Sequence, residues 1–182
     1  MTARTALVTG GSRGIGRAIS LELGRLGYAV VVDYATQPQA AQEVAEQIVA
    51  QGGRAIAIRG NVGRREDHAE LIRQTLEQFG RLDVLVNNAG ITSQGRKDIL
   101  EATEESWDLV FNTNLKGPFF LTQLAANEMT RQIRENIIPD AKIINITSVS
   151  AYAVSTNRAD YCMTKAALGI MTHLFAERLA EE

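Results

Sequence analysis

The chain has 182 residues, a formal net charge of −2, and a composition that is 45% hydrophobic, 22% charged and 5% aromatic. That describes an ordinary globular domain large enough for a substantial core. It excludes the basic excess and stacking aromatics of a nucleic-acid binder, and no apolar run approaches the ~20 residues of a membrane span.

The opening Met1-Thr2-Ala3-Arg4 leads directly into a strand pattern and lacks the features of a secretory signal. The β-branched run Ala6 to Thr9 reads as a buried strand and stops at Gly10 and Gly11. From Ile15 an amphipathic helix pattern begins, with Ile15, Ala18, Ile19, Leu23 and Leu26 recurring every three to four positions. Strand, glycine turn and helix start make a ready anion site, because the first helical N–H groups lack partners and the helix dipole favours negative charge there. Taken alone, such a turn is more often an ordinary tight turn.

After Gly27, the run Ala29 to Asp33 reads as a second buried strand, and Pro38 to Gln51 as a helix ended by Gly52-Gly53. Arg54 to Arg59 is a third strand, Glu66 to Phe79 a helix with a charged face, and Val84 to Val86 a fourth strand ending in Asn87-Asn88-Ala89-Gly90. Thr103 caps a helix through Trp107 and Val110, and a separate helix spans Pro118 to Glu135. Pro139-Asp140 breaks the chain before a fifth strand, Lys142 to Thr147. The sequon Asn145-Ile146-Thr147 lies in that apolar strand and is read as chance. The last helix starts at Ala159 or Asp160 and runs to the end. The lone Cys162 forms no internal disulfide, which points to a reducing, cytoplasmic setting. Strands alternating with helices predict right-handed βαβ units: a doubly wound parallel sheet in three α/β/α layers, one domain over 1–182. Ligands bind such sheets beyond the carboxyl ends of the strands, where Gly10, Asn87 and Ser148 fall.

Five motifs occur in order: Thr9-Gly10-x-x-x-Gly14-x-Gly16, Asn87-Asn88-Ala89-Gly90, Asn114-x-x-Gly117, Ser148, and Tyr161-x-x-x-Lys165. Together they resemble the short-chain dehydrogenase/reductase family, whose fold is the Rossmann fold, and the resemblance covers Thr5 to Glu182. Tyr161 and Lys165, four apart on a helix, project from one face. A free phenol has a pKa of about 10, and a neighbouring ammonium favours phenolate, so the pair suits general acid/base work. Ser148, thirteen residues before Tyr161, is placed to hydrogen-bond the carbonyl oxygen that Tyr161 protonates. Thr147 and Ser150 compete for that role on the residues alone, and the family spacing favours Ser148. By resemblance Asn114 holds a water relay to Lys165, with Asn112 as its nearest rival. No His/Cys/Asp cluster has metal-ligand spacing, and His68 and His173 are isolated in helix patterns.

The resemblance implies hydride transfer between a nicotinamide and a ketone or secondary alcohol. Its cofactor contacts fall on Gly10, Ser12, Arg13, Gly14, Ile15 and Gly16, on Asp33 and Tyr34, on Asn61 and Val62, on Asn88, Ala89 and Gly90, and on Tyr161 and Lys165. Arg13 in the turn favours the 2′-phosphate of NADP. Asp33 would favour NAD, but aligned on Gly27 the NAD-selecting acid falls one place later, at Tyr34. NADP is therefore the expected cofactor, with NAD as the alternative. Family members continue into further strands and a substrate-covering helix pair, so as a stand-alone polypeptide this chain is expected to bind cofactor weakly and turn over little. The likeness is greatest to reductases of 3-oxoacyl groups on acyl carrier protein, with Arg131 and Arg134 as candidates for docking an acidic carrier. A sugar or polyol dehydrogenase and a non-catalytic dinucleotide-binding protein are the other readings. By resemblance Trp107, Phe119 and Phe120 pack across a subunit interface, and a homotetramer or homodimer is expected.

Overall fold

A computed structural model describes residues 3–182, so Met1 and Thr2 of the opening segment lie outside the described residues. Five strands, β1 (Thr5–Val8), β2 (Ala29–Tyr34), β3 (Arg54–Arg59), β4 (Val84–Asn87) and β5 (Lys142–Asn145), form one parallel sheet in the order β3-β2-β1-β4-β5. Leu7 of β1 lies opposite Val31 on one side and Leu85 on the other. Helices cover both faces, so the central strands need no polar alternation, and every residue of β1 and β4 is buried.

On one face α1 (Gly14–Arg25) and α2 (Pro38–Ala50) enclose Val8, Val30, Val32, Val44 and Ile48. On the other, α3 (Arg65–Phe79) and α5 (Gly117–Arg134) enclose Leu7, Val31, Leu71, Leu85 and Leu121. The chain winds outward from β1 to β3, then restarts beside β1 with β4. This reversal opens a crevice between the loops that follow β1 and β4.

The predicted inward face of α1 holds only in part. Ile19 and Leu23 pack on the sheet, but Ile15 and Leu26 are 64% and 57% exposed and Ala18 is exposed. The residues buried in this helix are small, Gly16 and Ser20. A Cβ on Gly16 would lie 2.2 Å from the Gly10 carbonyl oxygen, so the helix comes too close to the turn for any side chain.

The two helices predicted at Thr103–Val110 and Pro118–Glu135 form one continuous rod. Thr103 caps α4 (Glu104–Phe111) as expected, its Oγ1 accepting the Ser106 N–H at 3.3 Å. A π-helical segment, Asn112–Lys116, then joins α4 to α5. Pro118 has no N–H to donate, so the ordinary helical ladder is interrupted there and a wider turn is accommodated. The rod presses against the loop after β3: a Cβ on Gly117 would sit 2.2 Å from the Val62 carbonyl oxygen. β5 is also shorter than predicted, and Ile144 in this last strand of the sheet is 45% exposed. The last helix, α6 (Ala159–Leu179), packs on α4 and on the π-helical segment.

β2 ends in a buried acid. Asp33 is 1% exposed, its Oδ2 accepts the Gly10 N–H at 3.1 Å, and its Oδ1 has no partner. Burial raises its pKa from 3.8 to about 8, and the bond from Gly10 only partly offsets that.

Two outcomes are expected of stability measurements. Gly117→Ala lowers stability by about 1–3 kcal/mol, whereas Gly169→Ala, where an added Cβ meets nothing within 4 Å in α6, is neutral or stabilising by about 0.5–1 kcal/mol. The raised pKa of Asp33 means its acid form suits the fold, so its contribution is fully present below about pH 4 and lost as pH rises through about 8. Asp33→Asn, followed by denaturant unfolding, therefore matches wild type in acid and exceeds it by on the order of 1–3 kcal/mol in mild alkali. A difference that stays constant with pH contradicts the buried-acid account.

Candidate active site

The crevice is held open by reciprocal hydrogen bonds between the segments that follow β1 and β4. Thr9, 1% exposed, is not the last residue of β1 but a clamp just beyond it. Its Oγ1 donates to the Val86 carbonyl at 3.2 Å and accepts the N–H groups of Asn88 and Ala89, each at 3.0 Å. In return, Asn88 Nδ2 donates to the Thr9 and Gly10 carbonyls at 2.9 and 3.1 Å. Four bonds thus fix the glycine turn against Asn88-Ala89-Gly90.

The fold brings the predicted cofactor contacts of the β-strand loops together around one cleft of about 700 Å³. Gly10, Ser12, Arg13, Gly14, Ile15 and Gly16 form its first wall. The exposed Ile15, read from periodicity as a core residue, belongs to this wall. Arg13 is the N-cap of α1 with no side-chain cap bond, and it has no ion-pair partner among the described residues. The first-turn N–H groups therefore face the cleft beside a free guanidinium, an arrangement suited to phosphates. Tyr34 and Asp33 stand at the end of β2. The Asp33 carboxyl is sealed against Gly10, so it presents no free carboxylate to a ribose hydroxyl. Asn61 and Val62 close the third side, with Asn61 Oδ1 accepting the Gly63 N–H at 2.9 Å and Val62 buried at 4%. Asn88, Ala89 and Gly90 make the floor. A cleft of this size, with helix N-terminal N–H groups and Arg13 in one wall, fits a dinucleotide.

None of the predicted catalytic residues lines this cleft itself, but Asn114 and Lys165 stand against its residue Gly90. Asn114 is fully buried in the π-helical segment. Its Oδ1 accepts the Ile91 N–H and its Nδ2 donates to the Ile91 carbonyl, both at 2.8 Å, and Nδ2 reaches Thr164 Oγ1 at 3.3 Å. The rival Asn112 turns elsewhere, donating to the Gly63 carbonyl at 2.6 Å. Lys165, 5% exposed on α6, donates from Nζ to the Ile146 carbonyl at 2.8 Å, and Nζ lies 5.8 Å from the centre of the Tyr161 ring. Burial lowers the Lys165 pKa. A Cβ on Gly90 would come within 3.7 Å of Nζ and 3.3 Å of Asn114 Oδ1, so this group adjoins the cofactor cleft directly. Ser148 caps the short helical turn Val149–Ala151, its Oγ accepting the Ser150 N–H at 3.1 Å. That bond leaves its hydroxyl proton free to donate. Ser150 is 6% exposed, and so is less available than the half-buried Ser148.

Several other residues settle differently. His68 is a core residue whose Nε2 lies 2.7 Å from the Val62 carbonyl oxygen, and His173 is exposed. Cys162 is half-buried, with Sγ 4.0 Å from the Ser155 carbonyl oxygen. Arg131 and Arg134, expected as a docking patch, are already paired. Arg131 bonds Glu128 and Glu135, and Arg134 bonds Glu182 at 2.7 Å. Their charge is partly balanced by these exposed ion pairs. Trp107 is 41% exposed and stacks on Phe111 at 4.2 Å, while Phe119 is 37% exposed. Sequence reading missed Thr9 as a clamp, Thr164 as a partner of Asn114, and a buried cluster of Ser93, Ser106 and Asp160 beside Tyr161. Thr9 lay within a motif already singled out. The others carried no local signal.

The family model described as short chain dehydrogenase matches residues 4–182. A 3-oxoacyl-(acyl-carrier-protein) reductase of Synechocystis sp. is 42% identical over 180 residues, covering 99% of this chain and 70% of the relative. The Staphylococcus epidermidis protein of the same description is 41% identical over 177 residues, covering 97% and 69%. Among solved structures, a short chain dehydrogenase from Mycobacterium avium superposes with a TM-score of 0.90 at 35% identity, covering 98% of this chain and 66% of that one. The landomycin C-6 ketoreductase LanV, with bound NADP and rabelomycin, superposes with a TM-score of 0.87 at 39% identity, covering 98% and 71%. The chain thus spans about two thirds of the length of the proteins it matches. With the model match running from residue 4 to the last residue, the chain belongs to the short-chain dehydrogenase family.

Proposed function

We propose that this protein is an NADP(H)-dependent oxidoreductase that reduces a ketone to a secondary alcohol, with a 3-oxoacyl thioester as the leading substrate. The observation that carries the reading is the convergence of Asn114, Tyr161 and Lys165 beside a cleft suited to a dinucleotide. The substrate reading rests on the likeness to 3-oxoacyl reductases, and the NADP reading on Arg13, on the sealed Asp33 and on the NADP bound to LanV.

When bound, the nicotinamide supplies the hydride that reduces the carbonyl carbon. The protein's part is positional and protic. Gly14 to Gly16 and Arg13 hold the phosphates. The Ser148 hydroxyl donates a hydrogen bond to the carbonyl oxygen, fixing it beside the Tyr161 phenol, which gives that oxygen its proton as the carbon is reduced. Lys165 stands behind Tyr161, and its lowered pKa suits a group that passes protons inward from the Asn114 side. Oxidation of the alcohol reverses each transfer.

A sugar or polyol ketone is the second reading, favoured by one observation: the internally paired Arg131 and Arg134 leave less free positive charge on α5 for an acidic carrier. As for assembly, α4, α5 and α6 border a groove of about 1030 Å³, with Leu109, Ile170 and Leu174 exposed at 46%, 59% and 59%. An apolar patch of this kind supports a homo-oligomer.

Oxidation of NADPH and NADH by the full-length protein in the presence of an acetoacetyl thioester tests the reading. NADPH is expected to be the faster cofactor, and Tyr161→Phe is expected to lose at least about 10²-fold in kcat. A Tyr161→Phe variant with wild-type kcat overturns the acid/base role. Turnover of sugar ketones but not of the thioester selects the second reading.

A further inference from the structure

Asp160 is the second residue of α6 and immediately precedes Tyr161. It is 5% exposed, yet three donors converge on its carboxylate. Ser93 Oγ and the Tyr161 N–H, the latter at 2.7 Å, donate to Oδ1, and Ser106 Oγ donates to Oδ2 at 2.6 Å. Ser93 and Ser106 are themselves 7% and 6% exposed. Ser106 Oγ also accepts the Gln94 N–H at 2.9 Å, and the Ser106 N–H donates to the cap hydroxyl of Thr103. One buried carboxylate therefore joins the loop after β4, the first turn of α4 and the first turn of α6.

The location gives this junction its meaning. α6 has no side-chain cap, because the side chain of its N-cap residue Arg158 makes no cap bond. The first turn, which carries Tyr161, is instead secured by Asp160, and an acidic group there also complements the helix dipole. One turn further along, Thr164 is tied through Asn114 to Ile91. The loop 91–94 is thus pinned to α6 twice, by Asn114 at Ile91 and by Asp160 at Ser93. Ile91 and Gln94 of the same loop line the cofactor cleft.

We propose that Asp160 is a positioning residue that sets the Tyr161 hydroxyl against the cofactor cleft, acting through Ser93 and Ser106. This rests on the acid role given to Tyr161 above. Buried carboxylates that orient a reacting group act through geometry, and a displacement of about 1 Å at the reacting atoms costs on the order of 10²-fold in rate.

The test compares Asp160→Ala with the double variant Ser93→Ala/Ser106→Ala in the full-length protein. The double variant keeps the carboxylate and removes its two hydroxyl partners together with the acceptor of the Gln94 N–H, whereas Ser93→Ala alone removes one partner and leaves Gln94 untouched; both serve if Asp160→Ala does not fold. At least about a tenfold loss of kcat in a folded variant, with the NADPH KM within about twofold of wild type, is the expected split. A residue that merely stabilises the fold lowers Tm and leaves kcat of the folded protein unchanged, and that result overturns the proposal. So does a KM that rises while kcat holds, which would place the effect on the cleft alone. Fluorotyrosine NMR, with the Tyr161 resonance identified by its loss in Tyr161→Phe, gives a readout independent of turnover. If wild type fails to reduce any ketone, the reading of the active site falls. A Tyr161 resonance that shifts or broadens in the double variant then still supports the positioning role, and an unmoved one overturns it.

Discussion

The functional architecture depends on the four hydrogen bonds between the Thr9-Gly10 segment and Asn88-Ala89. Two parallel strands that leave a sheet side by side tend to carry their following loops together. Here the reversal of strand order separates the helices that follow, and the Thr9–Asn88 clamp decides how far apart the two loops stand. The clamp pairs two part-buried N–H groups with one hydroxyl and two carbonyls with one side-chain amide. Each polar group left unpaired there would cost about 1–3 kcal/mol. The glycine turn and the Asn88 loop therefore behave as one rigid mouth.

From that mouth the site is built by successive ties inward. Gly90 abuts both Asn114 and Lys165, a Cβ there lying 3.3 Å from Asn114 Oδ1 and 3.7 Å from Lys165 Nζ. Asn114 then binds the next residue, Ile91, through both its N–H and its carbonyl, which a side-chain amide does with donor and acceptor at once. The π-helical turn places Asn114 inward at this depth, and the contact of Gly117 with the Val62 carbonyl fixes where the turn can lie. Lys165 completes the set by reaching the Ile146 carbonyl beyond β5. The cleft and the Asn114–Lys165 group thus share one continuous scaffold, in which a displaced loop moves both.

Much of this was legible in the chain. Glycine and asparagine motifs at strand ends located the cleft, since few residue types tolerate close backbone approach or satisfy two backbone groups at once. Two of the residues that the motifs singled out, Asn114 and Lys165, stand against Gly90 of that cleft. What stayed hidden was set by distant partners. Ile15 and Leu26 fit the helical period as well as Ile19 does, and only the crowding of Gly16 against Gly10 turns the helix so that Ile15 meets the cleft. Asp33 sits where an acid can meet a ribose, but its rotamer depends on the Gly10 N–H 23 positions away. Asp160 has partners 67 and 54 positions away, so no window of sequence contains its network. The joining of α4 to α5 was likewise invisible, because Pro118 signals a break, whereas a π-helical segment carries the helix through it.

The most direct measurement of the clamp's role is the affinity for NADPH of the Thr9→Val variant against wild type, read by cofactor fluorescence. Valine keeps the shape and removes the hydroxyl, leaving the Ala89 N–H unpaired and the Asn88 N–H with the Val86 carbonyl alone. Affinity is expected to fall about tenfold or more, equivalent to at least about 1.4 kcal/mol, with the fold retained. Unchanged affinity in a folded Thr9→Val protein would mean that the mouth of the cleft is set elsewhere and would contradict the account.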